Sequence, residues 1–331
     1  MRTRVFAVAI ALVVALVSTG LAQSSKARPS ASASGARGYT PARTPWGDPD
    51  LQGTFTNSNE YATPLERPAR FAGRTLNDIT DKELASIREG AEQEAIAGLA
   101  PGPRGPDYWW LENLNLSKRA QAWSVVDPPE GRIPALTPQA RARGAGPQRT
   151  SFMGGPFNGP SDFGMLERCI SRGVPGSMIP VMYGNNYEIV QTPGFVVITY
   201  EIIHEARIIP LDGRPHVGSG VRSHMGDARG HWEGATLVVE TTNFTASSAY
   251  RGANPDTLRV TERFTRIAPD TIAWSATLDD PDTWTRPWTI AMPLTLDTQP
   301  LLPFECHEHN YGLANILRAA RAAEKAAPSG R

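Results

Sequence analysis

Between residues 187 and 292 the chain repeats one pattern: short runs of β-branched and aromatic side chains, cut by clusters of Gly, Pro, Asp and Asn. Residues 195–209 (FVVITYEIIHEARII) form the longest run free of helix breakers, and 231–244, 258–267, 271–278 and 283–292 follow it. Turn chemistry separates them, as in 211–215 (LDGRP) and 279–282 (DDPD). Runs of this length and spacing, with no helical period between them, predict about five or six strands in an antiparallel meander closing into a barrel or sandwich.

Elsewhere the apolar pattern thins. Residues 1–22 read as a secretory signal peptide: Arg2 and Arg4 lead an apolar run at 5–17, and Gly20-Leu21-Ala22 offers small residues for cleavage. The run is too short to span a bilayer with flanks, so no membrane anchor is expected. Residues 23–44, rich in Ser, Ala, Arg, Gly and Pro, cannot bury apolar surface and read as a disordered leader. Residues 45–180 read as an irregular N-terminal wrap, turn-rich at 45–56, with one helix at 81–99 that Thr80 and Glu83 start with a capping box. Thr137 is placed to cap a short further helix. The barrel region is then 181–327, ending in an Ala/Arg-rich helix at 313–326.

Alternation within the runs assigns faces. Read as one strand, 195–209 puts Val196, Ile198, Tyr200, Ile202 and His204 inward, with Thr199, Glu201, Glu205 and Arg207 outward. In the next runs Glu262 falls among Leu258, Val260 and Phe264, and Trp274 between Ile272 and Ala276. In the last, Arg286 falls between Trp284 and Trp288. A meander would leave Glu262 and Arg286 two strands apart, about 9–10 Å between backbones, which two long side chains can cross. The candidate catalytic groups are therefore Glu262, His204 and Tyr200. Arg286, Trp274, Trp284 and Trp288 are the candidate substrate-binding set, an arginine between indoles suiting an anionic or oxygen-rich group. A structural Glu262–Arg286 ion pair, a core histidine and plain tryptophan packing are the bland alternatives.

Charge narrows the partners. The 33 basic and 33 acidic residues cancel and form no basic stripe, which argues against nucleic acid. Polar clusters at strand ends put His216, His224, Asp227 and His307 at a barrel mouth, although ordinary turn chemistry accounts for them equally well. No organic cofactor motif occurs. A metal would need three histidines and a carboxylate to converge, and only His307-Glu308-His309 offers a local chelate. The two cysteines, Cys169 and Cys306, in an exported chain favour a disulfide over a zinc site or a nucleophile.

Several segments resemble a large family of secreted bacterial proteins: Trp46-Gly47-Asp48-Pro49-Asp50-Leu51-Gln52-Gly53, 126–134 (VDPPEGRIP), 232–239 (WEGATLVV), 279–288 and Cys306-His307-Glu308. That resemblance implies a periplasmic or secreted location and carries no activity with it. The strand pattern is also similar to lipocalin-type (calycin-like) barrels, which implies a hydrophobic or aromatic small-molecule ligand. The expected function is a cofactor-independent acid–base enzyme, a lyase, hydrolase or isomerase, acting inside the barrel. The alternatives are a non-catalytic periplasmic binding protein and a structural envelope protein with a solid core.

Overall fold

The computed structural model describes residues 39–61, 63–97, 120–146, 157–181, 183–308 and 310–326. The expected signal peptide and most of the leader lie outside these residues. Nine strands form a nearly closed antiparallel barrel: β1 (Gly53–Thr56), β3 (Asn186–Thr192), β4 (Phe195–Tyr200), β5 (Ala206–Pro210), β6 (Asp227–Glu233), β7 (Thr236–Thr242), β8 (Arg259–Ala268), β9 (Thr271–Asp279) and β10 (Trp288–Leu296). Their order around the barrel is β5-β4-β3-β1-β10-β9-β8-β7-β6, and β2 (Val125–Asp127) pairs beside β1 on β10. Two edges remain, β5 and β6, and they face each other. At this seam Gly230 of β6 leaves room for its neighbours: a Cβ there would lie 2.6 Å from Leu211 and 2.8 Å from Ile209.

The class expected from the strand spacing is the one observed, with three differences. Residues 195–209 are not one strand. The chain turns after Tyr200, with Glu201 helical (φ −62°) and Ile203 and His204 left-handed (φ 67° and 59°), and β5 returns along β4 with Phe195 opposite Pro210. Backbone bonds from Tyr200 to Glu205 (2.9 Å) and His204 to Glu201 (3.1 Å) close the turn. No Gly, Pro or Asn marks it; two non-glycine residues take positive φ, which normally costs each about 1–2 kcal/mol. Residues 231–244 likewise divide into β6 and β7 at Gly234 (φ 63°). Finally, β1 and β2 come from the segment expected to wrap around the outside. β1 lies between β3 and β10, with Phe55 fully buried opposite Tyr187.

Alternation governs the interior. In β8 and β9, Val260, Glu262, Phe264, Ile272, Trp274, Ala276 and Leu278 all point inward, each 0–1 % exposed. Outside the barrel, α1 (Asp81–Ala97) begins with the expected capping box, in which Glu83 N–H donates to Thr80 Oγ1 at 3.2 Å and Thr80 N–H to Glu83 Oε2 at 3.0 Å. Thr137 caps α2 (Pro138–Ala142), accepting from Ala140 N–H at 3.0 Å. The C-terminal helix α3 (Tyr311–Ala326) follows the disulfide between Cys169 and Cys306, whose Cα atoms are 5.7 Å apart and 137 positions apart in sequence.

Candidate functional site

The polar groups of the barrel interior centre on Glu262. It is fully buried on β8, flanked by Val239 on β7 and Ala276 on β9. One carboxylate oxygen takes the Arg207 Nη1 donor at 2.5 Å, and the other accepts the Trp274 indole N–H at 3.1 Å. The ion pair spans the interior from β5 to β8, with Arg207 4 % exposed. Burial works against the Arg207 charge, but Glu262 and Tyr200 outweigh it and hold the guanidinium pKa above its ordinary value. Tyr200 is fully buried on β4, its ring edge-to-face with Tyr187 at 5.8 Å. Burial raises the Tyr200 phenol pKa, so the hydroxyl keeps its proton throughout the physiological range.

Three atoms in this cluster have no hydrogen-bond partner among the described residues: Arg207 Nε, Arg207 Nη2 and the Tyr200 hydroxyl. Nε and Nη2 lie on one edge of the guanidinium and form the planar fork that matches a two-oxygen acceptor. Nη1 faces the other way, to Glu262. Thr241 Oγ1, on the same inward face of β7 as Val239, is also buried and unpartnered. Buried polar atoms in proteins are nearly always satisfied, so these donors stand out as exceptions in the barrel interior.

Several sequence-predicted residues stand elsewhere. Arg286 is not inward: β10 begins only at Trp288, and Arg286 lies in the preceding loop, about half exposed, paired with Glu130 at 3.0 Å. His204 sits on the β4–β5 turn and is exposed, because the strand that would have carried it inward has already ended. The three tryptophans are buried, and Trp284 packs edge-to-face on Trp288 at 5.4 Å, though Trp284 lies just before β10. His216 meets Asp227 at 2.8 Å, and Asp227 also pairs with Arg229 at 2.6 Å. His224 bonds to Thr245 at 3.0 Å, and His307 is exposed on a turn. Among the described residues no three His, Cys, Asp or Glu side chains group as metal ligands; His309 lies outside those residues.

Arg207 is the residue the alternation argument missed, having been assigned to the outer face. The turn at 201–205 reverses the inward parity, so Arg207 and Ile209 point in while Ala206 and Ile208 point out. A signal was present: a run of 15 residues exceeds the ordinary strand length, and two glutamates sit near its middle. No protein-family model, curated protein or solved structure matches this chain.

Proposed function

We propose that the protein is an exported binding protein that holds a small aromatic or apolar molecule in its barrel, gripping an oxygen acceptor with Arg207 and Tyr200. The observation that carries this reading is the unpartnered edge of the buried Arg207 guanidinium beside the unpartnered Tyr200 hydroxyl. Around them Trp274, Tyr187 and Phe264 supply apolar and aromatic surface. Export is supported by the N-terminal charge and apolar pattern and by the disulfide. Among the described residues no helix is long and apolar enough to cross a membrane.

Binding is favoured over the expected acid–base turnover for a geometric reason. Both Glu262 oxygens are engaged by protein donors and His204 is outside, so the groups expected to move protons are occupied or absent from the interior. The enzyme reading, a lyase, hydrolase or isomerase without organic cofactor, retains one support: a buried, protonated Tyr200 beside a guanidinium could polarise a substrate carbonyl.

The test is a tryptophan-fluorescence titration with two probes of nearly equal shape, 2-acetylnaphthalene and 2-ethylnaphthalene. A hydrogen bond from a charged donor contributes about 1.5–3 kcal/mol, so the ketone should bind roughly 10- to 100-fold more tightly. Tyr200→Phe and Arg207→Met should each narrow that gap. No saturable binding of either probe would mean that the barrel interior is simply packed core.

A further inference from the structure

A second arginine, half-buried and on a different element, also holds a buried donor without a partner among the described residues. Arg172 lies in the loop between Cys169 and the short turn at Gly176–Met178. Arg172 and Tyr250 both neighbour Gly176: a Cβ there would lie 3.8 Å from the Arg172 Cβ and 4.0 Å from the Tyr250 ring, ordinary contact distances. Tyr250 in turn stands 6.4 Å from Trp288, and Tyr187 is the other phenol within electrostatic reach of Arg172. Arg172 Nη2 donates to the Ile179 carbonyl at 2.9 Å. Its Nη1 is buried with no partner among the described residues, and so is the Trp288 indole N–H.

The two guanidiniums differ in one respect. Arg207 has its counter-charge in Glu262. Arg172 pairs with no carboxylate among the described residues, and the acids near this end of the barrel are held by other donors. Glu201 accepts from the Asn186 N–H at 3.2 Å and is reached by the Leu302 N–H, and Glu205 accepts from the Ser171 hydroxyl at 2.7 Å. Burial accordingly presses the Arg172 pKa downward, with only the Tyr187 and Tyr250 phenols acting against it. A buried cation without a counter-ion is costly, and a compensating anion removes that cost.

We infer that the ligand is an organic monoanion whose acidic group is neutralised by Arg172 and the Trp288 N–H, while its uncharged acceptor is held by Arg207 and Tyr200. This rests on the binding reading above and deepens it by assigning the ligand's charge and the end at which that charge sits. A negative group at Arg207 would add a second anion to a guanidinium already neutralised by Glu262. At Arg172 it completes an ion pair that the described residues lack.

The experiment compares 2-naphthoate with its methyl ester, using 2-acetylnaphthalene as the uncharged reference, in the full chain. The wild type should bind naphthoate at least ten-fold more tightly than the ester. Arg172→Met should erase that preference and leave 2-acetylnaphthalene affinity within two-fold, whereas Arg172→Lys should keep part of the preference. Arg172→Met should also raise the melting temperature of the ligand-free protein, because it removes an uncompensated charge. Equal wild-type affinities for naphthoate and ester, with 2-acetylnaphthalene still bound, would overturn the inference and leave the binding reading standing; that arm needs no variant. Failure of all three probes to bind would instead remove the binding reading itself. A preference that survives Arg172→Met and is lost in Arg207→Met would move the charge to Arg207 and overturn the assignment.

Discussion

At the scale of single residues the structure turns on the Glu262–Arg207 pair. Two charges withdrawn from water are tolerated only together; deleting one strands the other, at about 3–5 kcal/mol. Glu262→Gln should therefore destabilise the protein by roughly that amount, since glutamine keeps the shape but leaves Arg207 without a counter-charge. The double variant Glu262→Gln with Arg207→Met should recover most of the loss. Urea denaturation of the three variants checks this, and losses that simply add would show that the pair is not coupled. Half of this pair was legible in the sequence. Glu262 sits in β8, a regular strand whose alternation is unbroken from Val260 to Phe264. Arg207 was not legible, because its face depends on a turn that uses Ile203 and His204 in the left-handed region, where propensity gives no warning.

At the scale of elements, local signals succeeded where the chemistry was local. The capping box at Thr80 and Glu83 needs only residues three apart, and it starts α1 as the sequence implies. It also yields a pH prediction. A hydrogen-bonded ion pair with Arg74, followed by bonds from Thr80, lowers the Glu83 pKa to about 2 from 4.5. A depressed carboxylate stabilises the fold at pH above its unfolded value, and that contribution is lost as pH falls through the folded value. The start of α1 should thus keep its protection down to about pH 4.5 and lose it between there and about 2. The Glu83 side-chain carbon, followed by NMR, should titrate with a midpoint near 2 and return toward 4.5 in Arg74→Met. An ordinary midpoint in the wild type would show that the box is open in solution. Strands were less legible than this helix start. β1 is four residues between turn formers, and its place between β3 and β10 is set by long-range pairing that no local pattern records.

At the scale of the whole molecule, the closing barrel followed from repeated apolar runs, whereas the entry of β1 into the sheet between β3 and β10 did not. The disulfide joins the loop that precedes β3 to the segment that precedes α3, and so fixes the loop carrying Ser171 and Arg172 against the barrel end. With its cysteines 137 positions apart, the chain-entropy model assigns the bridge about 5 kcal/mol. Reduction should lower the unfolding free energy by that order in urea, with the barrel still folded below the midpoint. An unchanged midpoint after complete reduction would show that the α3 attachment is held by packing alone.

If the unpartnered edge of the Arg207 guanidinium binds the ligand, its Nε–H must sense an acceptor in the barrel. That role is tested most directly by following the Nε–H resonance by NMR, assigned through its loss in Arg207→Lys. The signal should exchange slowly, move downfield when 2-acetylnaphthalene saturates the protein and stay in place with 2-ethylnaphthalene. A signal unmoved by the bound ketone would contradict that role.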